Sequence, residues 1–253
     1  MSAAPALETT GLSRHFGGVY AANGIGLRLE RGARQALIGP NGAGKTTLIN
    51  LLTGVLRPHA GTIRLEGRDI TSLAPQRRVA LGLARTFQIN QLFGDMTPLE
   101  AVGLAVSEHL GHGADWWRVA GSRQAIDLRI ADILERFHLA DAMLERTASL
   151  SYGRQRLLEI ALAIACSPRV LLLDEPAAGV PEGERHEILA AVSALPRDVS
   201  ILFIEHDMDL VFSFAERISV MVGGSLLAEG APRDIARDPR VQAAYLGEEA
   251  PAG

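Results

Sequence analysis

Only one cysteine, Cys166, occurs in the chain, so no disulfide can form within it. It lies in the apolar run 160–166 and reads as a small buried hydrophobe. A lone cysteine also fits a reducing compartment. Long apolar runs are missing too. No window approaches the roughly eighteen residues that a spanning helix needs, and the longest runs are short pieces such as 160–166 and 170–173. Such a chain serves a membrane only from one side, through another polypeptide. The first residues lack a basic start followed by an apolar stretch, so a secretory leader is not expected. Aromatics are scarce at 5%. No block of one sign stands out among 25 basic and 29 acidic side chains, a formal net charge of −4. Nucleic acid is therefore not expected as a partner. Internal repeats and low-complexity tracts are absent as well.

What is present is an ordinary globular composition, 47% hydrophobic over 253 residues. That is enough for one large domain, or for a domain carrying a smaller subdomain. Short β-type runs at 25–30 and 34–38 alternate with glycine turns. The second feeds a glycine-rich loop at 39–44, a helical stretch at 45–53 closed by Gly54, and a strand-like run at 62–66. The middle reads as helical. Thr97 and Pro98 have the form of a helix cap and first turn. Ile126, Ile130, Ile133, Leu134 and Phe137 recur at helix spacing within 122–140. Residues 109–121, with the pair Trp116 and Trp117, read as a loop or insertion. Alternation returns with β runs at 170–173, 200–204 and 217–222 and helices near 182–194 and 208–214. Buried apolar strands alternating with helices imply a parallel sheet covered on both faces. The helical middle implies a subdomain over about 90–165, inside a single domain over 1–253.

Three segments carry chemistry. The first is Gly39-Pro40-Asn41-Gly42-Ala43-Gly44-Lys45-Thr46-Thr47, between an expected strand and an expected helix. Its glycines let consecutive N–H groups turn inward around a polyphosphate, and the helix start adds the positive end of its dipole. Lys45 would neutralise the β- and γ-phosphates of ATP, and the Thr46 hydroxyl would ligate Mg²⁺. The second is 170–175, an apolar strand ending in Asp174 and Glu175. Carboxylates are rarely buried unless paired or metal-bound. Asp174 is expected to hold Mg²⁺ through water, and Glu175 to polarise the attacking water. The alternative is a pair of surface carboxylates capping the next helix. The third is Leu150-Ser151-Tyr152-Gly153-Arg154-Gln155, ahead of a long helical run, where Ser and Gly at a helix start make a second anion site.

With these segments in this order the chain resembles the ATP-binding-cassette family over nearly its whole length. The resemblance implies the P-loop NTPase fold of that family: a mainly parallel α/β sheet core, an antiparallel β part and a helical subdomain. It also implies roles. Gln88, in Thr86-Phe87-Gln88, would sense Mg²⁺ and touch a membrane partner. His206, in Glu205-His206-Asp207, would contact the γ-phosphate. Phe16 would stack on adenine, core packing being its alternative. Ser151, Gly153 and Gln155 would contact nucleotide. Ala84-Arg-Thr-Phe-Gln88, Glu175-Pro-Ala-Ala-Gly179, Ile204-Glu-His-Asp-Met208 and Ala244-Tyr-Leu-Gly-Glu248 look like the ATPase of branched-chain amino-acid importers, and the insertion around Trp116 fits that group. Such a subunit works from the cytoplasmic face of the cell membrane, peripherally. It pairs with a second ATPase subunit, identical or different, drives membrane permease subunits, and serves a periplasmic or extracellular binding protein indirectly. Two positions depart from the pattern. Arg154 stands where the family has Gln, though Gln155 follows. Pro181 stands where Asp or Asn normally helps join two cassettes, and proline has neither an N–H nor a polar side chain. A soluble cassette protein of translation or DNA repair is the competing reading, disfavoured by the single cassette and the lack of sustained heptads. A nucleotide-binding regulatory module without turnover is the third, and Pro181 alone favours it.

Overall fold

The protein is described by a computed structural model covering residues 4–86, 93–111 and 123–246. Its elements are β1 (Leu7–Phe16), β2 (Val19–Ile25), β3 (Arg28–Leu29), β4 (Arg34–Ile38), α1 (Lys45–Thr53), β5 (Ala60–Leu65), β6 (Arg68–Asp69), α2 (Pro75–Ala80) and β7 (Leu83–Arg85). Helices α3 (Pro98–His109), α4 (Arg123–Arg136) and α5 (Tyr152–Ala165) follow. The chain continues through β8 (Val170–Asp174), α6 (Glu182–Ser193), β9 (Ser200–Ile204), α7 (Met208–Phe214), β10 (Arg217–Val222), β11 (Ser225–Gly230), α8 (Pro232–Arg237) and α9 (Pro239–Leu246).

Contacts divide it into two units. The first comprises Met1–Leu83, Arg169–Glu175 and Pro196–Gly253. Its main sheet has the order β11-β10-β4-β9-β8-β7. Strands β10, β4, β9 and β8 are mutually parallel, and β11 returns antiparallel to β10. Every residue of β4 and β9 is buried, which is why β9 reads as an apolar run over 201–204 and not as an alternating one, whereas β4 opens on the buried polar pair Arg34 and Gln35. A second, antiparallel sheet has the order β2-β1-β5-β6, with β3 also paired to β1. The expected single run over 25–30 is therefore two strands, β2 ending at Ile25 and β3 starting at Arg28. Helix α1 buries Leu48, Ile49, Leu51 and Leu52 in one core with Leu12, Ile63, Leu172 and Leu202. Each such leucine contributes about 2 kcal/mol by leaving water.

The last turn of α1 is held by a cation. Arg78, in α2, is 1% exposed. Its guanidinium donates to the carbonyls of Leu51, Leu52, Leu73 and Thr71 at 2.7, 2.6, 3.0 and 2.9 Å. Two of these carbonyls belong to the helix C-terminus, which carries the negative end of the dipole, and the Leu51 carbonyl also accepts from the Gly54 N–H at 3.2 Å. Burial pulls the Arg78 pKa down to about 10, so it stays charged at neutral pH.

The second unit, Ala84–Pro168 with Pro176–Leu195, is built from α3, α4, α5 and α6. Thr97 caps α3 as its sequence implies: its hydroxyl accepts from Glu100 N, and the Glu100 carboxylate accepts from Thr97 N at 2.8 Å. Helix α5 packs against α3, α4 and α6. It buries Leu157, Leu158, Ile160, Ala161 and Ala163. Cys166 is not the fully buried side chain expected. It is the C-cap of α5 and partly exposed, its thiol directed to the Leu162 carbonyl at 3.6 Å and pushed up in pKa by burial.

Candidate functional site

Three loops leave the carboxyl ends of neighbouring parallel strands in the first unit. Across β4, β9 and β8 the register aligns Leu37 with Ile204, and Ile204 with Asp174. The glycine-rich loop after β4, the acidic pair at the end of β8 and the His206 segment after β9 therefore emerge from one edge of the sheet, where open α/β sheets bind their ligands.

The glycine-rich loop folds as its composition demands. Gly44 is the N-cap of α1 with φ 101°, and a Cβ there would lie 2.1 Å from the Ala21 carbonyl oxygen, so only glycine fits. No side chain caps α1, and no acidic residue sits in its first turn. An anion there meets N–H donors and the positive end of the helix dipole without competition from a carboxylate in that turn. Lys45 is the first residue of α1, and its ammonium donates to the carbonyls of Gly39 and Pro40. Its charge thus lies across the loop formed by Gly39, Pro40, Asn41, Gly42 and Ala43. Thr46 is exposed and Thr47 half-buried on the first turn.

Asp174 closes β8, part-buried. Glu175 follows with φ 47°, a left-handed conformation that costs a side-chain-bearing residue about 1–2 kcal/mol. Its amide is anchored to the Ile204 carbonyl at 2.9 Å. The turn aims its carboxylate, 45% exposed, toward the next loop, where His206 Nδ1 lies 3.8 Å from Glu175 Oε1. These positions differ from the capping alternative, since α6 starts only at Glu182. Glu205, 1% exposed, sits beneath and accepts from the His206 and Asp207 amides. It orients the histidine turn, and the motif Glu205-His206-Asp207 held that signal although the chemistry pointed first to the histidine. Asp207 in turn caps α7.

Phe16 ends β1 and is 48% exposed, which excludes the core-packing reading. The Arg14 guanidinium stands 5.0 Å from its ring centroid. Gln88 lies outside the described residues.

In the second unit, Ser151 caps α5 by accepting from Arg154 N at 3.3 Å. Gly153 is buried in the first turn. Gln155 donates to the Leu150 carbonyl at 3.0 Å. Arg154, the departure from the family pattern, turns away to pair with Asp141 at 2.7 Å. Pro181 is the N-cap of α6 and makes no side-chain cap.

A hard cation fits the first unit only in company. Thr46 and Asp174 supply one hydroxyl and one carboxylate. Among the described residues no group of three or more His, Cys, Asp or Glu side chains is placed to hold a metal by itself. That donor set suits Mg²⁺, which keeps waters and completes its shell with substrate phosphate oxygens.

The sequence profile of the ABC transporter family matches residues 22–178. That of the branched-chain amino acid ATP-binding cassette transporter matches residues 225–251. The chain is 40% identical to the high-affinity branched-chain amino acid transport ATP-binding protein BraF of Pseudomonas aeruginosa, over 96% of this chain and 98% of that one. It is 41% identical to the corresponding protein LivG of Escherichia coli K12, with the same coverage. Among solved structures, the ADP conformation of MJ1267, an ATP-binding cassette of an ABC transporter, matches with a TM-score of 0.82 at 31% identity, covering 95% of this chain and 98% of that one. The chain belongs to the ABC transporter family and is one of its ATP-binding subunits, an ATPase whose turnover is coupled to transport.

Proposed function

We propose that the chain is the ATP-hydrolysing motor of an importer for branched-chain or related amino acids. It works at the cytoplasmic face of the cell membrane, on separate permease subunits, and faces a second ATPase subunit. The observation that carries the nucleotide chemistry is the alignment of Leu37, Ile204 and Asp174, which brings the phosphate loop, the acidic pair and His206 to one sheet edge. The chain forms a single cassette with a helical subdomain.

Within the site, the loop N–H groups, Lys45 and the α1 dipole bind the β- and γ-phosphates of ATP. Thr46 and Asp174, with Gln88 from outside the described residues, hold Mg²⁺, which when bound neutralises charge on the transferred phosphoryl group. Glu175 accepts the proton of the attacking water. His206, held by Glu205, lies beside that carboxylate and donates to the γ-phosphate. Phe16 stacks on the base. Ser151, Gly153 and Gln155 meet the nucleotide bound by the opposite ATPase, so two cassettes close head to tail and hydrolysis reopens them. The cargo pocket belongs to other chains, including a binding protein outside the cell membrane.

The permease contact is supported by exposed apolar side chains in the second unit. Phe93 is 69% exposed, Leu144 70% and Met143 37%. The two segments that carry them are joined by bonds from Ala148 N to the Gly94 carbonyl and from Leu99 N to the Met143 carbonyl. A cysteine placed at Phe93 should cross-link, in native membranes, to a polytopic membrane protein identifiable by mass spectrometry. Capture of soluble proteins alone would contradict the importer reading and favour a soluble cassette protein.

A further inference from the structure

Helices α3 and α6 begin with the same acidic residue at the same place, and only one can use it in the usual way. In α3, Glu100 is the third helical residue and its carboxylate accepts the N-cap N–H of Thr97. In α6, Glu184 is the third helical residue, but the N-cap is Pro181. Proline has no N–H, so that half of a capping box cannot form. The Glu184 carboxylate is directed elsewhere. Its Oε2 accepts from Gly153 N at 3.0 Å and from Ser151 Oγ at 3.3 Å. A Cβ at position 153 would lie 2.0 Å from that oxygen, so the space left open by Gly153 is filled by the carboxylate. Arg154, next to Gly153, is engaged with Asp141.

We propose, resting on the reading of Ser151 and Gly153 as contacts to the opposite cassette's nucleotide, that Glu184 is an internal anion that occupies this turn until the nucleotide displaces it. The donors are the same: one N–H and one hydroxyl at the positive end of a helix of 14 residues. A carboxylate and a phosphate cannot share them, because both are acceptors only and both are negative. Before the cassettes close, Glu184 keeps the turn formed and its donors satisfied. On closure it must swing out, which raises the nucleotide occupancy needed to bring the cassettes together. Pro181 is the residue that commits Glu184 to this role, since an N-cap bearing an N–H and an amide side chain would hold Glu184 at its own helix.

The test is sedimentation of the full chain carrying Glu175→Gln, with MgATP, alone and with Glu184→Gln, Glu184→Ala, Pro181→Asn or the pair Pro181→Asn/Glu184→Ala. Glu184→Ala should tighten ATP-driven self-association about tenfold, the scale of one charge-assisted hydrogen bond. Glu184→Gln, which keeps the shape without the charge, should move it the same way by less. Pro181→Asn should tighten it several-fold when Glu184 is present and add nothing once Glu184 is alanine. Unchanged or weaker association in both Glu184 variants, no association in any variant, or a Pro181→Asn effect that persists without Glu184 would each overturn the proposal. Binding of a fluorescent ATP analogue in every variant, and its loss in Lys45→Ala, is the control. If Lys45→Ala still binds, it is the nucleotide-site reading that fails.

Discussion

Glu159 lies on α5 with its side chain 3% exposed and its carboxylate 2.8 Å from the Arg156 guanidinium. One carboxylate oxygen and Arg156 Nε have no partner. Burial outweighs the arginine and pushes the Glu159 carboxyl up to about 7. An acid with a raised folded-state pKa binds its proton more tightly folded than unfolded. The stability this supplies is complete below the ordinary carboxylate range and is lost as pH rises through about 7. Glutamine copies the neutral acid and does not titrate. The melting temperature of Glu159→Gln, relative to wild type, should therefore rise between pH 5 and pH 8, by about 2–4 °C for each kcal/mol involved. A relative melting temperature that stays flat over the same range would mean that Arg156 dominates and holds the carboxylate ionised throughout it. That Lys45, Asp174 and Glu175 lie at strand and helix ends was legible from the sequence, because each sits in a contiguous motif bounded by a strand or a helix. Glu184 was not, since its partners lie 33 and 31 residues away and no motif joins them.

Among elements, the β8 and β9 strands were readable because burial on both faces leaves apolar runs of four residues, 170–173 and 201–204. Strand β1 was not: its burial is irregular, Gly11 interrupts it, and its pairing to β5 shifts register between Thr10 and Ser13. The short α2 was missed because arginines fill its middle, and one of them, Arg78, is buried by hydrogen bonds to carbonyls instead of by apolar contact. The phosphate-loop helix depends on that arginine at the end opposite its phosphate site. Arg78→Ala should lower stability by about 3 kcal/mol through orphaned carbonyls and a cavity. Amide hydrogen exchange in the last turn of α1 should accelerate with it. Unchanged exchange there would mean that Gly54, whose N–H bonds the Leu51 carbonyl, caps the helix sufficiently alone.

At the scale of the molecule, no helix among the described residues is long and apolar enough to cross a membrane. The fold class was legible because strand–helix alternation around a glycine-rich loop permits few architectures. The division into two units interleaves distant stretches, returning to the first unit at Arg169 and again at Pro196, which periodicity along the chain does not reveal. The central proposal is that the sheet edge carrying Lys45, Asp174, Glu175 and His206 is where ATP is hydrolysed to drive transport. The direct measurement is MgATP hydrolysis by the complex purified from native membranes through a tag on this chain, wild type against Lys45→Ala. The account predicts a fall of about a hundredfold or more, as for removal of a group that stabilises charge in the transition state. Turnover near the wild-type rate in Lys45→Ala would contradict it.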